Sequence, residues 1–292
     1  MQYFELEPKD NTFSNLVVDL THRCNMECAN CYIPNRIIPD LDVAKLYALL
    51  EQLPFRTYIR LIGAEPTMRE DLADIISNVK RRGHNVSLTT NGLKLGHKEY
   101  VRELKDAGLR LVLISMNGAA DDNIYKIIDN GKYANLKVRA LRNCMLENMI
   151  INTGTIIAKG INEFIFTEQF ELFKELMNET KYKPKVKPVL RFKSVGAVGR
   201  HMKDSCYTFN ELNEMLYYYI EGITKVDIST HNQATVNNFY ELDNIYVRLV
   251  DWSTNDISGT LNEFDNPNRG RITQNFKIAP FFEHVILNEY EY

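Results

Sequence analysis

The sequence predicts an α/β fold, a partial (β/α)6 TIM-type barrel with a small carboxy-terminal extension. Short apolar runs rich in β-branched residues alternate with longer segments whose apolar residues recur at helical spacing. Such alternation is typical of a parallel sheet with right-handed crossovers. Six units are visible before about residue 225, where a closed barrel has eight. The barrel is therefore expected to be partial.

Each predicted element follows from its local pattern. The strands are expected at 16–20, 58–62, 85–90, 109–115, 149–157 and 186–192. The helical segments between and after them are expected at 42–53, 69–82, 94–107, 121–146, 162–178 and 208–223. Beyond Lys225 the sequence becomes rich in Asn and aromatic residues, with strand candidates at 245–252 and 271–282. We therefore expect a barrel over 1–225 and an extension over 226–292 that forms a lid or a substrate platform.

Composition sets the class of protein. The 292 residues are 45% hydrophobic and 25% charged with a net charge of −3, which excludes a disordered, collagen-like or coiled-coil chain. No apolar run approaches the ~18 residues of a membrane span, and the amino terminus lacks signal-peptide features. We expect a cytoplasmic protein without a membrane partner. We expect no nucleic acid partner either, because the one basic run, at 181–188, is typical of a solvated loop.

Three of the five cysteines fall within eight residues. Cys24, Cys28 and Cys31 follow the first predicted strand at the spacing C-x3-C-x2-C. Three thiolates from one loop can converge on a soft metal or an iron–sulfur cluster. A cubane cluster has four irons, so three ligands leave one iron open to an exogenous ligand, as in a catalytic rather than a closed metal site.

Two other interpretations of the cysteine loop remain open at this point. Positions 24, 28 and 31 would also share one face of an α-helix, where cysteine is a common buried residue. Alternatively, His22 could complete a closed Cys3His zinc site.

The cysteine motif resembles that of the radical S-adenosylmethionine (SAM) enzymes. The resemblance implies a [4Fe-4S] cluster on Cys24, Cys28 and Cys31, with SAM chelating the fourth iron through its amino and carboxylate groups. The aromatic residue that commonly precedes the last cysteine is replaced by Asn30, and Tyr32 follows that cysteine. We assign Tyr32 to the cofactor-binding residues.

A second motif ends the second predicted strand. Gly63-Ala64-Glu65-Pro66 resembles the GGEP motif of the same family, with alanine in place of the second glycine. Exposed carbonyls at a strand end and the Glu65 carboxylate can accept hydrogen bonds from the methionine ammonium of SAM. We expect a negative φ at Ala64, because a positive φ would cost about 1 kcal/mol. Alone, this segment would indicate no more than a turn.

Polar residues end the next predicted strands. By resemblance, Thr90, Asn91, Ser115 and Asn117 lie near the ribose and carboxylate of SAM, on the rim where barrel active sites are built. Singly, each could equally be a helix cap or a turn residue. Arg191, on the sixth strand, could bind a carboxylate of SAM or substrate, or hold the strand end in a salt bridge.

The resemblance implies an enzyme in which a reduced cluster cleaves SAM and the resulting 5′-deoxyadenosyl radical takes a hydrogen atom from substrate. We expect a ribosomally made peptide as substrate, modified by epimerisation or crosslinking, and an external reductant such as flavodoxin or ferredoxin. The alternative substrate is a nucleoside or a small natural product. A noncatalytic zinc or iron–sulfur binding module is the alternative of another class.

The two remaining cysteines limit the chemistry. Cys144 and Cys206 cannot supply full cysteine ligation of a second cluster. Cys144 is expected in the core. Cys206 follows the sixth strand and is a candidate hydrogen donor to a substrate radical, although a partly buried cysteine without a role is the default interpretation.

Overall fold

The fold is built on one sheet of eleven strands. The computed structural model describes residues 4–29, 31, 33, 36–194, 207–229, 235–250 and 269–281. The strand order is β11-β10-β1-β2-β3-β4-β5-β6-β9-β8-β7. The eight neighbours from β10 to β9 are mutually parallel, and the outer strands pair antiparallel. The predicted α/β fold and partial barrel are confirmed.

The strands are β1 (Asn15–Asp19), β2 (Tyr58–Ile62), β3 (Asn85–Thr90), β4 (Leu111–Ser115), β5 (Ile150–Ile157), β6 (Val189–Ser194), β7 (Thr224–Ser229), β8 (Thr235–Leu242), β9 (Ile245–Val250), β10 (Arg269–Ile272) and β11 (Ile278–Pro280). The helices are α1 (Val43–Leu50), α2 (Leu72–Arg81), α3 (Lys98–Asp106), α4 (Asp122–Ile128), α5 (Ala134–Leu146), α6 (Ile165–Thr180) and α7 (Phe209–Tyr219). Short 3-10 turns lie at Pro8–Asp10, Pro66–Met68 and Lys94–Gly96. All six predicted barrel strands are present, and β2 and β3 have the predicted bounds.

The predicted helical segment at 121–146 is two helices. The break follows Asp129, because Asn130 adopts a φ of 56° and Gly131 comes next. Asparagine tolerates this left-handed conformation better than most residues, and it commonly ends a helix. The Asp122 side chain then accepts a hydrogen bond from the Ala134 amide at 2.9 Å, which joins the starts of α4 and α5. The break places Asp129 at the cavity described below.

The chain after residue 225 extends the barrel sheet at both sides. β9 pairs in parallel with β6, and β10 pairs in parallel with β1. The antiparallel strands β7 and β8 continue the sheet beyond β9. The expected strand candidates correspond to β9 and to the hairpin of β10 and β11, whereas β7 and β8 were not predicted. The expected boundary at residue 225 falls within β7.

The core lies between the sheet and the helices outside it. Alternate residues of the strands, such as Leu16 and Val18 of β1, are fully buried against the helices. Cys144 of α5 is also fully buried, as predicted. Across the described ranges, none of the helices has both the length and the apolar character that crossing a membrane requires.

Candidate active site

A cavity of about 280 Å³ lies at the carboxyl ends of the barrel strands. This is the rim where α/β barrels build their active sites. Most of the residues expected at the site line this cavity, namely Cys24, Cys28, Cys31, Gly63, Ala64, Glu65, Thr90, Asn91, Ser115 and Asn117. Apolar side chains line it as well, including Met26, Ile33, Leu113 and Ile156.

The cysteine loop is irregular and wraps the three thiols toward the cavity. Cys24, Cys28 and Cys31 are half-buried and lie outside any helix, so the interpretation as one buried helix face was wrong. The amide of Met26 donates a hydrogen bond to the Cys24 sulfur at 3.4 Å. Arg36 donates from Nη2 to the Cys31 sulfur at 3.2 Å. Burial raises the pKa of Cys24, and the Met26 bond offsets part of that rise.

The donor set fits a cluster better than a single ion. His22 lines a separate small pocket with Asp19 and Arg271, away from the cysteines, so it does not complete a Cys3His zinc site. In the described part of the chain, no three His, Cys, Asp or Glu side chains are arranged to hold one ion. A tetrahedral zinc ion would need its sulfurs roughly 3.8 Å apart, given Zn–S bonds of about 2.3 Å. Thiolates of a cubane cluster bind separate irons and lie farther apart.

Burial raises the pKa of two of the thiols. Desolvation raises the pKa of Cys24, and the nearby Glu65 charge adds a smaller increase. The pKa of Cys28 is raised further, first by burial and then by the negative charge of Asp129. Iron must therefore displace protons from these sulfurs when it binds, which couples cluster assembly to pH.

The motif after β2 fastens the start of the cysteine loop. The Ala64 amide donates to the Thr21 carbonyl at 2.8 Å, and the Glu65 amide donates to the Arg23 carbonyl at 3.0 Å. Gly63 has a φ of +144°, and a Cβ added there would lie 2.4 Å from the Thr21 carbonyl oxygen. Glycine is therefore required at position 63. Ala64 is not among the residues with positive φ, as predicted.

Glu65 joins the ends of β2 and β3. Its buried carboxylate accepts hydrogen bonds from the Thr67 amide at 3.0 Å, the Thr67 hydroxyl at 2.6 Å, the Thr90 hydroxyl at 2.7 Å and the Asn91 amide at 2.6 Å. These four bonds fix the carboxylate at the cavity wall. Acceptance of a SAM ammonium by the same group stays a prediction.

The other strand-end residues also hold the site together. Asn91 donates from Nδ2 to Oδ1 of Asn25, in the cysteine loop, at 2.7 Å. Asn117 is buried, accepts from the Ile156 amide at 3.0 Å and donates to Asp129 at 2.7 Å. Ser115 lines the cavity and is partly exposed there. Contact of these residues with the ribose and carboxylate of SAM stays a prediction.

A buried ion pair supports this wall and was not predicted. Lys137 and Asp129 are 0% and 1% exposed, with Lys137 Nζ 3.6 Å from Asp129 Oδ2. Lys137 also donates to the Ser115 carbonyl at 2.8 Å and lies over the Tyr125 ring. The Asp129-Asn130-Gly131 sequence could have indicated a helix break. Nothing in the sequence distinguishes Lys137 from an ordinary surface lysine of a helix.

Arg191, one of the expected site residues, is not among those that line the cavity. Arg191 pairs in register with Gly154 and Arg248, two residues before Lys193, and it is Lys193 that lines the cavity. Tyr32 and Cys206 lie outside the described residues. The assignments of all three stay predictions.

The fold and the site together define a class of enzyme. Its members are partial α/β barrels in which three thiolates at the carboxyl ends of the strands can hold an iron–sulfur cluster. The family model of the radical SAM superfamily matches residues 18–171. The chain therefore belongs to the radical SAM superfamily, whose cofactors are a [4Fe-4S] cluster and SAM.

Individual relatives are similar over parts of their length. GTP 3′,8-cyclase of Clostridium perfringens is 29% identical over 158 residues, which cover 51% of this chain and 48% of that protein. The chain thus spans about half the length of this relative. The crystal structure of Streptococcus suis SuiB bound to precursor peptide SuiA matches with a TM-score of 0.63 and 15% identity, over 96% of this chain and 62% of that one. The anSMEcpe structure with bound AdoMet and a peptide matches with a TM-score of 0.53 and 14% identity, over 70% and 59%.

Proposed function

We propose that this radical SAM enzyme modifies a carbon centre of a ribosomally made peptide, by epimerisation or crosslinking. The observation that carries the proposal is the extent of the match to SuiB, which spans 96% of this chain and so includes much of the sequence after residue 225. The SuiB structure contains a precursor peptide. An incomplete barrel supports the same conclusion, because an open side admits a chain more readily than a closed barrel does.

Within this proposal, Cys24, Cys28 and Cys31 hold the cluster. Carbonyls of Gly63 and Ala64 accept from the SAM ammonium beside Glu65, while Thr90, Asn91, Ser115 and Asn117 surround its ribose and carboxylate. Tyr32 is assigned to the adenine and Arg191 to a carboxylate. When reduced, the bound cluster supplies one electron to SAM, which splits into methionine and a 5′-deoxyadenosyl radical that takes a hydrogen atom from substrate.

The chain's own residues position and protect the reactants. Met26, Ile33, Leu113 and Ile156 line the cavity and exclude water and stray hydrogen donors. The hydrogen bonds that Glu65 accepts from Thr90 and Asn91 hold the ends of β2 and β3 at a fixed separation. A reactive centre held in this way is protected from side reactions.

The two outcomes differ in how the substrate radical is resolved. In epimerisation a thiol, for which Cys206 is the candidate, returns a hydrogen atom to the opposite face of the carbon. The thiyl is then restored by an electron from the external reductant and a proton. In crosslinking the substrate radical forms the new bond and loses one electron and one proton. A cluster held by Cys24, Cys28 and Cys31 would be able to accept that electron. Flavodoxin or ferredoxin is proposed as the electron donor.

Anaerobic reconstitution with iron and sulfide, followed by dithionite and SAM, tests the enzyme class. Formation of 5′-deoxyadenosine is expected. A protein that contains zinc and yields none of this product would instead be a noncatalytic binding module. Short peptides encoded beside the gene then test the substrate. Mass spectrometry should show loss of a pair of hydrogen atoms for crosslinking, or uptake of solvent deuterium for epimerisation. Unchanged peptides throughout would contradict the proposal.

A nucleotide is the second candidate substrate. Similarity to GTP 3′,8-cyclase over half of this chain favours it. The same assay with GTP in place of peptide distinguishes the two. A new nucleotide product, formed together with 5′-deoxyadenosine in amounts above those of SAM alone, would support the nucleotide and reject the peptide.

A further inference from the structure

The parallel strands of the barrel carry a strong excess of positive charge. Across β10, β1 to β6 and β9, as the structure describes them, one residue is acidic, Asp19. Six are basic, namely Arg60, Arg191, Lys193, Arg248, Arg269 and Arg271. The whole chain, by contrast, has a net charge of −3. These strands therefore carry a net charge of +5, because acidic residues are almost absent from them.

These basic residues share the inner face of the sheet. In-register neighbours of parallel strands project to the same face. Arg191 is in register with Arg248, and both Arg60 and Arg271 are in register with Val17. The residues on the other face, such as Leu61 and Leu190, are fully buried against the helices. Lys193 follows Arg191 by two residues and lines the cavity beside the cysteines.

The charges lie close enough to act on one another. Burial lowers the pKa of Lys193 to about 7, assisted by the positive charges of Arg191, Arg60, Arg248 and Arg269. These arginines come from β2, β6, β9 and β10, so cations from well-separated strands surround one lysine. Gly154 leaves the space for this side chain, since a Cβ there would lie 3.3 Å from Lys193 Nζ. Asp19 forms an ion pair with Arg271.

Side chains of one charge sign gathered on one face of a sheet attract ligands of the opposite sign. The cavity lining itself is mixed, with Arg36 and Lys193 beside Glu65 and Asp129, so the positive charge is that of the strand residues next to Lys193. Arginine and lysine are also the side chains that bind carboxylate and phosphate oxygens most strongly, arginine often through two parallel hydrogen bonds. We infer that the substrate carries an oxyanion, a carboxylate or a phosphate, that binds inside the barrel to Arg191, Lys193 and Arg248. This inference rests on the proposed function and specifies the chemistry of its substrate.

The position of the basic residues explains how a bound substrate oxyanion would serve the reaction. Lys193 lines the cavity that contains the cysteines. Arg191 lies two residues before it on β6, beside Arg248 of β9, and so farther from the carboxyl ends of the strands. An anion held there would anchor the substrate while leaving the adjoining carbon to face the rim. Binding energy from a remote group can orient a reacting bond in this way.

The test measures anion binding to the reconstituted holoenzyme with SAM but without reductant, so that no turnover occurs. Pyrophosphate and citrate serve as probes in isothermal titration calorimetry. We expect saturable binding of at least one probe, weakened about tenfold or more in Arg248→Gln and Lys193→Gln, since each removes a charge-assisted hydrogen bond. Arg81→Gln, an exposed change on α2, should bind like the wild type. Tighter binding of pyrophosphate indicates a phosphate group, and tighter binding of citrate a carboxylate.

The wild-type result stands even if a variant fails to fold. Arg248→Lys retains the charge and should bind more tightly than Arg248→Gln. Absence of saturable binding of both probes to the wild type would overturn the inference, as would equal binding by folded Arg248→Gln and Lys193→Gln. Because 5′-deoxyadenosine formation is measured separately, a failed anion test with SAM cleavage intact rejects the oxyanion and leaves the proposed enzyme class standing.

Discussion

Asn91 donates a hydrogen bond from its side chain to that of Asn25 at 2.7 Å. The bond joins the carboxyl end of β3 to the loop between Cys24 and Cys28. The end of this barrel strand therefore helps to position the cysteine loop. Asn91 also accepts a bond from the Leu93 amide at 3.0 Å, which orients its side chain.

Asn25→Ala should loosen the cysteine loop. Loss of one hydrogen bond costs about 1 kcal/mol, and here the cost falls on the loop that must hold the cluster. After reconstitution and desalting, the variant should retain less iron and sulfide per protein than the wild type. Asn178→Ala, on the exposed side of α6, is the matched control. Equal iron retention by Asn25→Ala and the control would show that this bond does not support the loop.

Lys137→Met should destabilise the fold strongly. The substitution leaves Asp129 buried without its cation, and breaking a buried pair in this way typically costs about 3–5 kcal/mol. The free energy of unfolding from urea titration measures the change. Lys126→Met, an exposed substitution on α4, should stay within about 0.5 kcal/mol of the wild type. If Lys137→Met is as stable as Lys126→Met, the buried pair of Lys137 and Asp129 does not stabilise the fold.

Gly63→Ala should disturb both the backbone and the cysteine loop. The new Cβ would meet the Thr21 carbonyl oxygen at 2.4 Å in addition to the unfavourable φ. Gly83→Ala is a matched control, because Gly83 has a φ of +86° with nothing within 4 Å of an added Cβ. The control should cost about 1 kcal/mol of unfolding free energy and retain iron, whereas Gly63→Ala should cost more and lose iron. Identical behaviour of the two variants would argue against the close approach.

Acid should weaken the fold through His84. The Thr57 amide donates to its Nδ1 at 3.2 Å, so Nε2 carries the hydrogen and donates to the Leu50 carbonyl at 3.0 Å. The pKa of His84 is lowered, first by burial and then by Arg56 and Arg82, while the Leu50 bond partly offsets the shift. Protonation of Nδ1 would also break the Thr57 bond.

The sign of the pH effect follows from this lowered pKa. The unfolded chain binds the His84 proton more readily, so stability is complete above about pH 6.5 and falls as the pH drops toward the folded pKa. Urea midpoints at about pH 7.5 and 5.5 should differ less in His84→Gln than in the wild type. His97→Gln, at an exposed position, is the control. An unchanged difference in His84→Gln would refute this origin of acid sensitivity.

Much of the fold and the centre of the site could be predicted because their signals are local. The strands β2 and β3 show their period within a few residues, and Cys24, Cys28 and Cys31 lie in one loop. The positions of strand ends follow from the parallel sheet, so the polar residues after β3 and β4 could be placed on one rim.

The rest depends on contacts between distant parts of the chain. The pairing of Asn15 with Arg269 joins the two ends of the sequence, and no local pattern records it. The common face of Arg60, Arg191 and Arg248 likewise follows from strand register. Lys137 occupies a helix position that resembles a surface site until Asp129 is seen beside it.

Electron paramagnetic resonance of the reduced, reconstituted protein tests the central claim most directly. If three cysteines hold a [4Fe-4S] cluster with one iron open, a reduced-cluster signal should appear and SAM should change it, while Cys28→Ala should lack the signal. A wild-type signal that SAM leaves unaltered, or a protein that takes up zinc in place of iron and sulfide, would contradict the account.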